Sequence, residues 1–222
     1  MKKILVVAPH PDDETLGCGA TLLRHKEGGD EIHWLIATEI NESIGFSAEQ
    51  VAKRDREIGE VQKAYGFHSV HRLGFPTMRL DSLGKLPLIE KISSVANHLR
   101  PDSLYVPYRN DAHSDHAAVF DAVAACGKSF RYPFIRNLYA YETLSETEFG
   151  LRPDDTGFRP NLFIEVTKWI EQKISIMHLF DGEMGSFPFP RSETCIRAQA
   201  ALRGSQAGVE AAEAFMILKE IR

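Results

Sequence analysis

Two short stretches carry most of the residues that could do chemistry: His10-Pro11-Asp12-Asp13-Glu14 and, about a hundred positions later, His113-Ser114-Asp115-His116. The first puts an imidazole and several carboxylates within a few residues of one another. Imidazole with carboxylate suits zinc, and a catalytic zinc typically takes three protein ligands and leaves one position open to water. The stiff Pro11 and the turn around it could aim His10 and one carboxylate at a metal, leaving the other carboxylate beside the attacking water as its general base. In the second stretch His113 and His116 are spaced i, i+3 as a helix begins, so both rings can lie on one face of its first turn. Taken singly, each stretch also reads as a helix N-terminus, where acids complement the macrodipole and Asp115 can cap. Together they offer three imidazoles and four carboxylates, more than capping needs, and point to a metal centre.

For the two stretches to act together, the fold must bring them to one place. Lys3 to Ala8 (KILVVA) is short, apolar and rich in β-branched residues, as expected of a strand buried on both faces of a parallel sheet. It stops at Pro9-His10-Pro11, and a helix is expected from about Leu16 to Lys26, then a second strand over Ile32 to Thr38. Ser47 to Tyr65 reads as a long charged helix, Val70 to Leu73 as a strand and Leu86 to Leu99 as a helix. Ser103 to Pro107 is another short buried strand, followed by the polar loop Tyr108 to Ser114 and a helix from about Asp115 to Lys128. Phe134 to Tyr141 and Asn161 to Val166 read as strands and Lys168 to Leu179 as a helix. Ile196 to the end is read as further regular structure, and Gly182 to Arg191 as a long Pro- and Gly-rich loop. This alternation predicts one α/β domain over 1–222, a Rossmann-like, mostly parallel sheet with helices on both faces. In such sheets ligands gather beyond the carboxyl ends of the strands, and both polar loops follow such an end.

Other chemistries fit less well. Gly17-Cys18-Gly19 begins like a dinucleotide fingerprint, but Leu22 stands where its third glycine should be and the loop before it is acidic. These glycines read instead as positions of close helix-to-sheet packing. His68 and His71 flank a short strand without an acidic partner in sequence, Ser192-Glu193 resembles a helix cap, and no G-x-S-x-G elbow occurs. With 222 residues, 43% hydrophobic and 26% charged, the chain can bury a substantial core. A net charge of −5 gives no footprint for nucleic acid, and no apolar run approaches the roughly 20 residues of a membrane span. Cys18, Cys126 and Cys195 are odd in number and far apart, which argues against disulfides or a thiolate zinc site and for a cytoplasmic protein.

Pro9-His10-Pro11-Asp12-Asp13-Glu14 after a first strand, with His113-Ser114-Asp115-His116 downstream, resembles the PIG-L (LmbE-like) family of zinc-dependent deacetylases. The resemblance extends to Arg54 and Glu57 followed by Tyr65-Gly66, and to Arg203-Gly204 through Ala212-Glu213-Ala214-Phe215. It implies zinc as the metal, His10, Asp13 and His116 as its ligands, and Asp12 as the general base. It further implies that His113, protonated, assists the tetrahedral intermediate and the leaving amine, with Asp115 orienting that imidazole and balancing its charge. The implied reaction removes the acetyl group from an N-acetylated amino sugar of the N-acetylglucosamine type. Its partner is a small molecule, and homo-oligomers are compatible with the resemblance. Arg54 and Arg109 are candidates for contacts with sugar hydroxyls or an attached anionic group. Two positions depart from the family pattern: Ser114 replaces a common proline, and Thr77 stands where several members have an aspartate after Gly-(Phe/Tyr)-Pro. The competing readings are a zinc hydrolase of another amide or of a phosphoester, and a non-catalytic sugar-binding relative.

Overall fold

The structure is a computed structural model that describes all 222 residues. In chain order the elements are β1 (Lys3–Ala8), α1 (Asp13–Glu27), β2 (Glu31–Glu39), α2 (Ala48–Tyr65), β3 (Ser69–Pro76), α3 (Lys85–Leu99) and β4 (Ser103–Pro107). They continue as α4 (Ser114–Cys126), β5 (Asn137–Tyr141), β6 (Leu162–Glu165), α5 (Ile170–Met177), α6 (Glu193–Ala207) and β7 (Ala212–Glu220). All seven strands form one sheet in the order β3-β2-β1-β4-β5-β7-β6. The five strands β1 to β5 are parallel, whereas β7 runs antiparallel to both β5 and β6.

The period-2 alternation of the strands divides the core in two. On β1, Ile4, Val6 and Ala8 face one layer, with Leu16 and Leu22 of α1, Ile58 and Val61 of α2, Ile174 of α5 and Ile196 of α6. Leu5 and Val7 face the other, with Leu88 and Ile92 of α3 and Val119 and Val123 of α4. Each such valine, leucine or isoleucine side chain, withdrawn fully from water, contributes about 1.5–3 kcal/mol. Both faces of the sheet are therefore covered by helices, as the apolar runs of β1 and β4 require.

Several boundaries differ from the sequence reading. α1 starts three residues early, at Asp13, with Asp12 as its N-cap, and its backbone breaks at Cys18 (φ −146°, ψ 22°). α2 is opened by a capping box in which the Ser47 hydroxyl accepts from Gln50 N and the Gln50 side chain accepts from Ser47 N. The strand expected from Phe134 begins only at Asn137, and α5 is preceded by a 3-10 turn over Thr167–Trp169. The Ser192 hydroxyl caps α6 by accepting from Cys195 N. Gly17 packs so closely on the Tyr141 ring that a Cβ there would overlap it, and one at Gly19 would meet the Tyr65 hydroxyl.

The feature that positions the site is the junction of β1 and β4. From β1 the chain winds outward one way through β2 and β3, and then returns to β4 on the other side of β1. At this switch point the loops leaving two adjacent parallel strands part and leave a crevice between them. The loop after β1 is further tied to β2, because Pro9 O accepts from both Thr38 N (3.0 Å) and Thr38 Oγ1 (2.8 Å).

Candidate active site

The crevice is a cavity of about 530 Å³ whose lining includes His10, Asp12, Asp13, Arg54, His113 and His116. Six of the eight site residues singled out from the sequence thus meet there, and Asp115 sits buried directly behind His10. The exception is Arg109. Its Nε lies 2.6 Å from Asp121 Oδ1 and its Nη1 donates to Asn110 Oδ1, so it is tied to α4 and does not line the cavity.

Asp13 Oδ2 is the centre of the arrangement, 3.1 Å from His10 Nδ1 and 3.3 Å from His116 Nε2. Each ring's remaining nitrogen meets another carboxylate: His10 Nε2 lies 3.1 Å from Asp115 Oδ2, and His116 Nδ1 lies 2.6 Å from Asp111 Oδ2. Metal-binding histidines are held in this way, with a carboxylate behind the ring fixing its tautomer and rotation. His116 Nε2 is fully buried, and its 3.3 Å approach to Asp13 Oδ2 lacks the geometry of a hydrogen bond. A buried polar atom left without a partner is costly, and a metal on this nitrogen would remove the cost. Donor nitrogens of His10, His113 and His116 all lie within 4.8 Å of one another. The field agrees: although burial opposes it, Asp115 and Asp13 raise His10 to about 9, and Asp13 and Asp111 likewise raise His116. A divalent metal held between the rings would answer the same negative field, and imidazole nitrogen with carboxylate oxygen is a donor set such metals accept.

Asp115 and His113 are arranged differently from the roles the resemblance implied. The Asp115 carboxylate accepts from Met78 N (2.7 Å) and Leu80 N (3.1 Å) and faces His10, so the carboxylate orients His10, and Asp115 meets His113 through its backbone N–H. His113 is the N-cap of α4, and its Nδ1 accepts from Asp115 N at 3.1 Å. That bond requires Nδ1 to be unprotonated. Burial, with the neighbouring charges of His10 and His116, lowers the His113 pKa to about 4. The ring is therefore neutral near pH 7 and carries its hydrogen on Nε2, a hydrogen-bond donor in place of the imidazolium expected.

Asp12 has φ 132° and ψ −28°, a conformation that disfavours side chains. Its N–H donates to Glu14 Oε2 and its carbonyl accepts from Thr15 N and Leu16 N, which hold the strained turn in place. Burial, followed by the charge of Asp13, raises the Asp12 carboxyl well above the usual range. Its one cationic contact is Arg191 Nη1, 3.4 Å from Oδ2.

The sequence reading passed over Asp111, Arg191 and Glu183 as individual residues. Asp111 carried a usable signal, an acid two positions before His113 in the same loop. Arg191 and Glu183 come from the long Pro- and Gly-rich loop, and nothing local distinguishes them from solvated charges.

Comparison with known proteins gives the arrangement its family. The chain is 31% identical over 153 residues to the uncharacterized deacetylase YaiS of Escherichia coli (strain K12), an alignment covering 65% of this chain and 75% of that protein. It is 24% identical over 240 residues to the diacetylchitobiose deacetylase of Thermococcus kodakarensis, covering 100% of this chain and 85% of the relative. The fold matches the crystal structure of the conserved protein TT1542 from Thermus thermophilus with a TM-score of 0.77 and 26% identity, covering 100% and 97% of the two chains. Residues 5–126, which span both polar loops, match the PIG-L family, described as GlcNAc-PI de-N-acetylase, and the chain belongs to that family.

Proposed function

We propose that this protein is a zinc-dependent hydrolase that removes the acetyl group from an N-acetylated amino sugar, releasing acetate and the free amine. The observation that carries this reading is the convergence of His10 Nδ1, Asp13 Oδ2 and His116 Nε2 beside Asp12, a buried carboxylate outside that set. Deacetylation of an amino sugar is what the name of the Thermococcus relative states for that protein, and the match to it runs along this whole chain.

In this reading His10, Asp13 and His116 hold the metal, with Asp115 and Asp111 fixing the two rings from behind. Zinc, when bound, would polarise the acetamide carbonyl and lower the pKa of a water to about 7. Asp12 accepts the proton of the attacking water as the new C–O bond forms, and its raised proton affinity suits it to that task. Neutral His113 donates through Nε2–H to the oxygen that gains negative charge, a role that needs no imidazolium. The C–N bond then breaks, and the proton gathered by Asp12 passes to the departing nitrogen.

The whole chain, residues 1–222, is taken as one deacetylase domain. No helix is long and apolar enough to cross a membrane. A cytoplasmic location belongs to this reading and rests on three cysteines that are all free. The test is metal content of the purified protein, measured with acetate release from N-acetylamino sugars, with His116→Ala alongside. Bound zinc and metal-dependent acetate release, both lost in His116→Ala, are the expected result. A native protein that takes up no metal on reconstitution, or a His116→Ala variant with undiminished release, would overturn it.

A further inference from the structure

The walls of the cavity are unusual in how their charges are disposed. Only four of the 24 lining residues are hydrophobic, and the ionisable side chains other than histidine are seven carboxylates and three cations, with one of the seven, Glu39, also paired at 2.6 Å with Arg72 from outside the lining. All three cations are already occupied. Lys53 Nζ lies 2.7 Å from Asp181 Oδ2 and 3.9 Å from Glu57 Oε1. Arg54 uses every face of its guanidinium: Nε lies 3.3 Å from Glu57 Oε2, Nη1 donates to Pro11 O at 3.2 Å, and Nη2 pairs with Glu183. Arg191 places Nη1 3.4 Å from Asp12 Oδ2 and Nη2 3.2 Å from Glu183 Oε2, while its Nε has no hydrogen-bond partner but is buried out of reach of a ligand. Glu183 thus bridges Arg54, which the sequence offered to an anionic group, and Arg191, which it did not single out.

We infer that the cavity selects an uncharged, hydroxyl-rich N-acetylamino glycoside and discriminates against substrates carrying a phosphate, diphosphate or carboxylate near the acetamide ring. The inference rests on the deacetylase reading and narrows it. With Arg72 set against Glu39, three negative charges are in excess and a divalent metal would offset two of them, so an anionic substituent would still enter a field with a negative remainder. It would also find no open guanidinium, and could recruit Arg54 or Arg191 only by stripping Glu183 from them and leaving that carboxylate without its partners. Hydroxyl groups meet the opposite situation. Glu146 lines the cavity with only the Ser145 hydroxyl on its carboxylate, at 3.3 Å, and the Thr143 hydroxyl is buried without a partner. Acceptors of this kind suit sugar hydroxyls.

The experiment compares matched pairs that differ by one phosphate, using the zinc-reconstituted protein. Acetate release is measured on N-acetylglucosamine and N-acetylglucosamine 6-phosphate, and calorimetric binding on glucosamine and glucosamine 6-phosphate. The expected result is kcat/KM and affinity at least about 10-fold lower for the phosphorylated member, since like-charge juxtaposition costs several-fold more than thermal energy. Glu183→Gln, which frees both arginines from a shared carboxylate, should narrow that gap severalfold. Equal or better use of the phosphorylated sugar overturns the inference, as does no measurable binding of either sugar. Preferential binding of glucosamine without acetate release from any sugar would refute the deacetylase reading and leave the charge selection standing.

Discussion

Glu213→Ala is the perturbation whose size follows most directly from the structure. α1 breaks at Cys18, and the break strips Leu16 O of its helical donor and Ala20 N and Thr21 N of their acceptors. A buried ion pair fills both gaps. Glu213 accepts from Ala20 N at 3.0 Å and Thr21 N at 2.7 Å, Lys173 Nζ donates to Leu16 O at 2.8 Å, and the two charges meet at 2.7 Å. Both residues are buried, at 5% and 3% exposure, so neither charge has water to fall back on. Removing Glu213 leaves an uncompensated ammonium, which costs about 3–5 kcal/mol, and two orphaned N–H groups, which move the total toward the upper end of that range. For a chain of this length about 2–4 °C is lost per kcal/mol, so the melting temperature should fall by roughly 10–20 °C. The break also isolates the single turn that carries Asp13 and Glu14, and Lys173 anchors the end of that turn. Metal affinity should therefore weaken by about 10-fold, as for other groups that support a ligand from outside. Calorimetric and urea unfolding read the first effect, and chelator competition reads the second. A loss below about 1 kcal/mol would show that the ion pair does not hold the break.

Three further outcomes are expected. Asp111→Ala removes the carboxylate behind His116 and should weaken metal binding about 10- to 100-fold, measured by competition with a chelator; unchanged affinity would remove Asp111 from the site. Asp12→Gly relieves a φ of 132° and should raise unfolding stability by about 1 kcal/mol while abolishing acetate release, so a stability loss in urea melts would contradict the assigned strain. At the other end of the sheet, burial, with the charge of nearby His68, lowers the pKa of His33 from 6.5. The unfolded chain then binds the proton more readily, and unfolding free energy should decline as pH drops from about 6.5 toward the lowered value; His33→Asn should flatten that slope in a pH series of melts.

Much of the site was legible because its parts lie at the ends of strands that are themselves legible. KILVVA and SLYVP are short runs that only a sheet covered on both faces accommodates, and each hands directly to a polar loop. Other features depend on pairing across the chain, where sequence offers no local sign. Asp115 meets His10 across 105 residues, so its partner could not be read from its neighbourhood in the sequence. Arg54 and Arg109 look alike as sequence, and only the packing of α2 against the crevice and of Arg109 against Asp121 separates them. The antiparallel course of β7 is likewise set by how α6 returns over the sheet, which the apolar pattern of Ala212 to Glu220 does not specify. Glu213 belonged to the resemblance as one letter of a closing segment, yet its work is done at the middle of α1.

The three consecutive acids at the start of α1 show why the strained residue sits where it does. In a regular helix successive side chains diverge by about 100°, so three neighbours cannot be set independently around one cavity. Here Asp13 turns to His10 and His116, Asp12 to Arg191, and Glu14 folds back onto Asp12 N and the Thr15 hydroxyl. Ending the helix at Asp13 releases Asp12 from the helical arrangement, and the positive φ at Asp12 is the cost of that release. Glu14 offsets part of it by accepting the Asp12 N–H, while burial raises its own pKa to about 8 against the hydrogen bonds from Thr15 and Asp12. One acid thus stabilises the turn that lets the other two face the same point from different directions. Replacing Glu14 with a residue unable to accept from Asp12 N would act on Asp12 through its backbone, without touching either the metal position or the substrate.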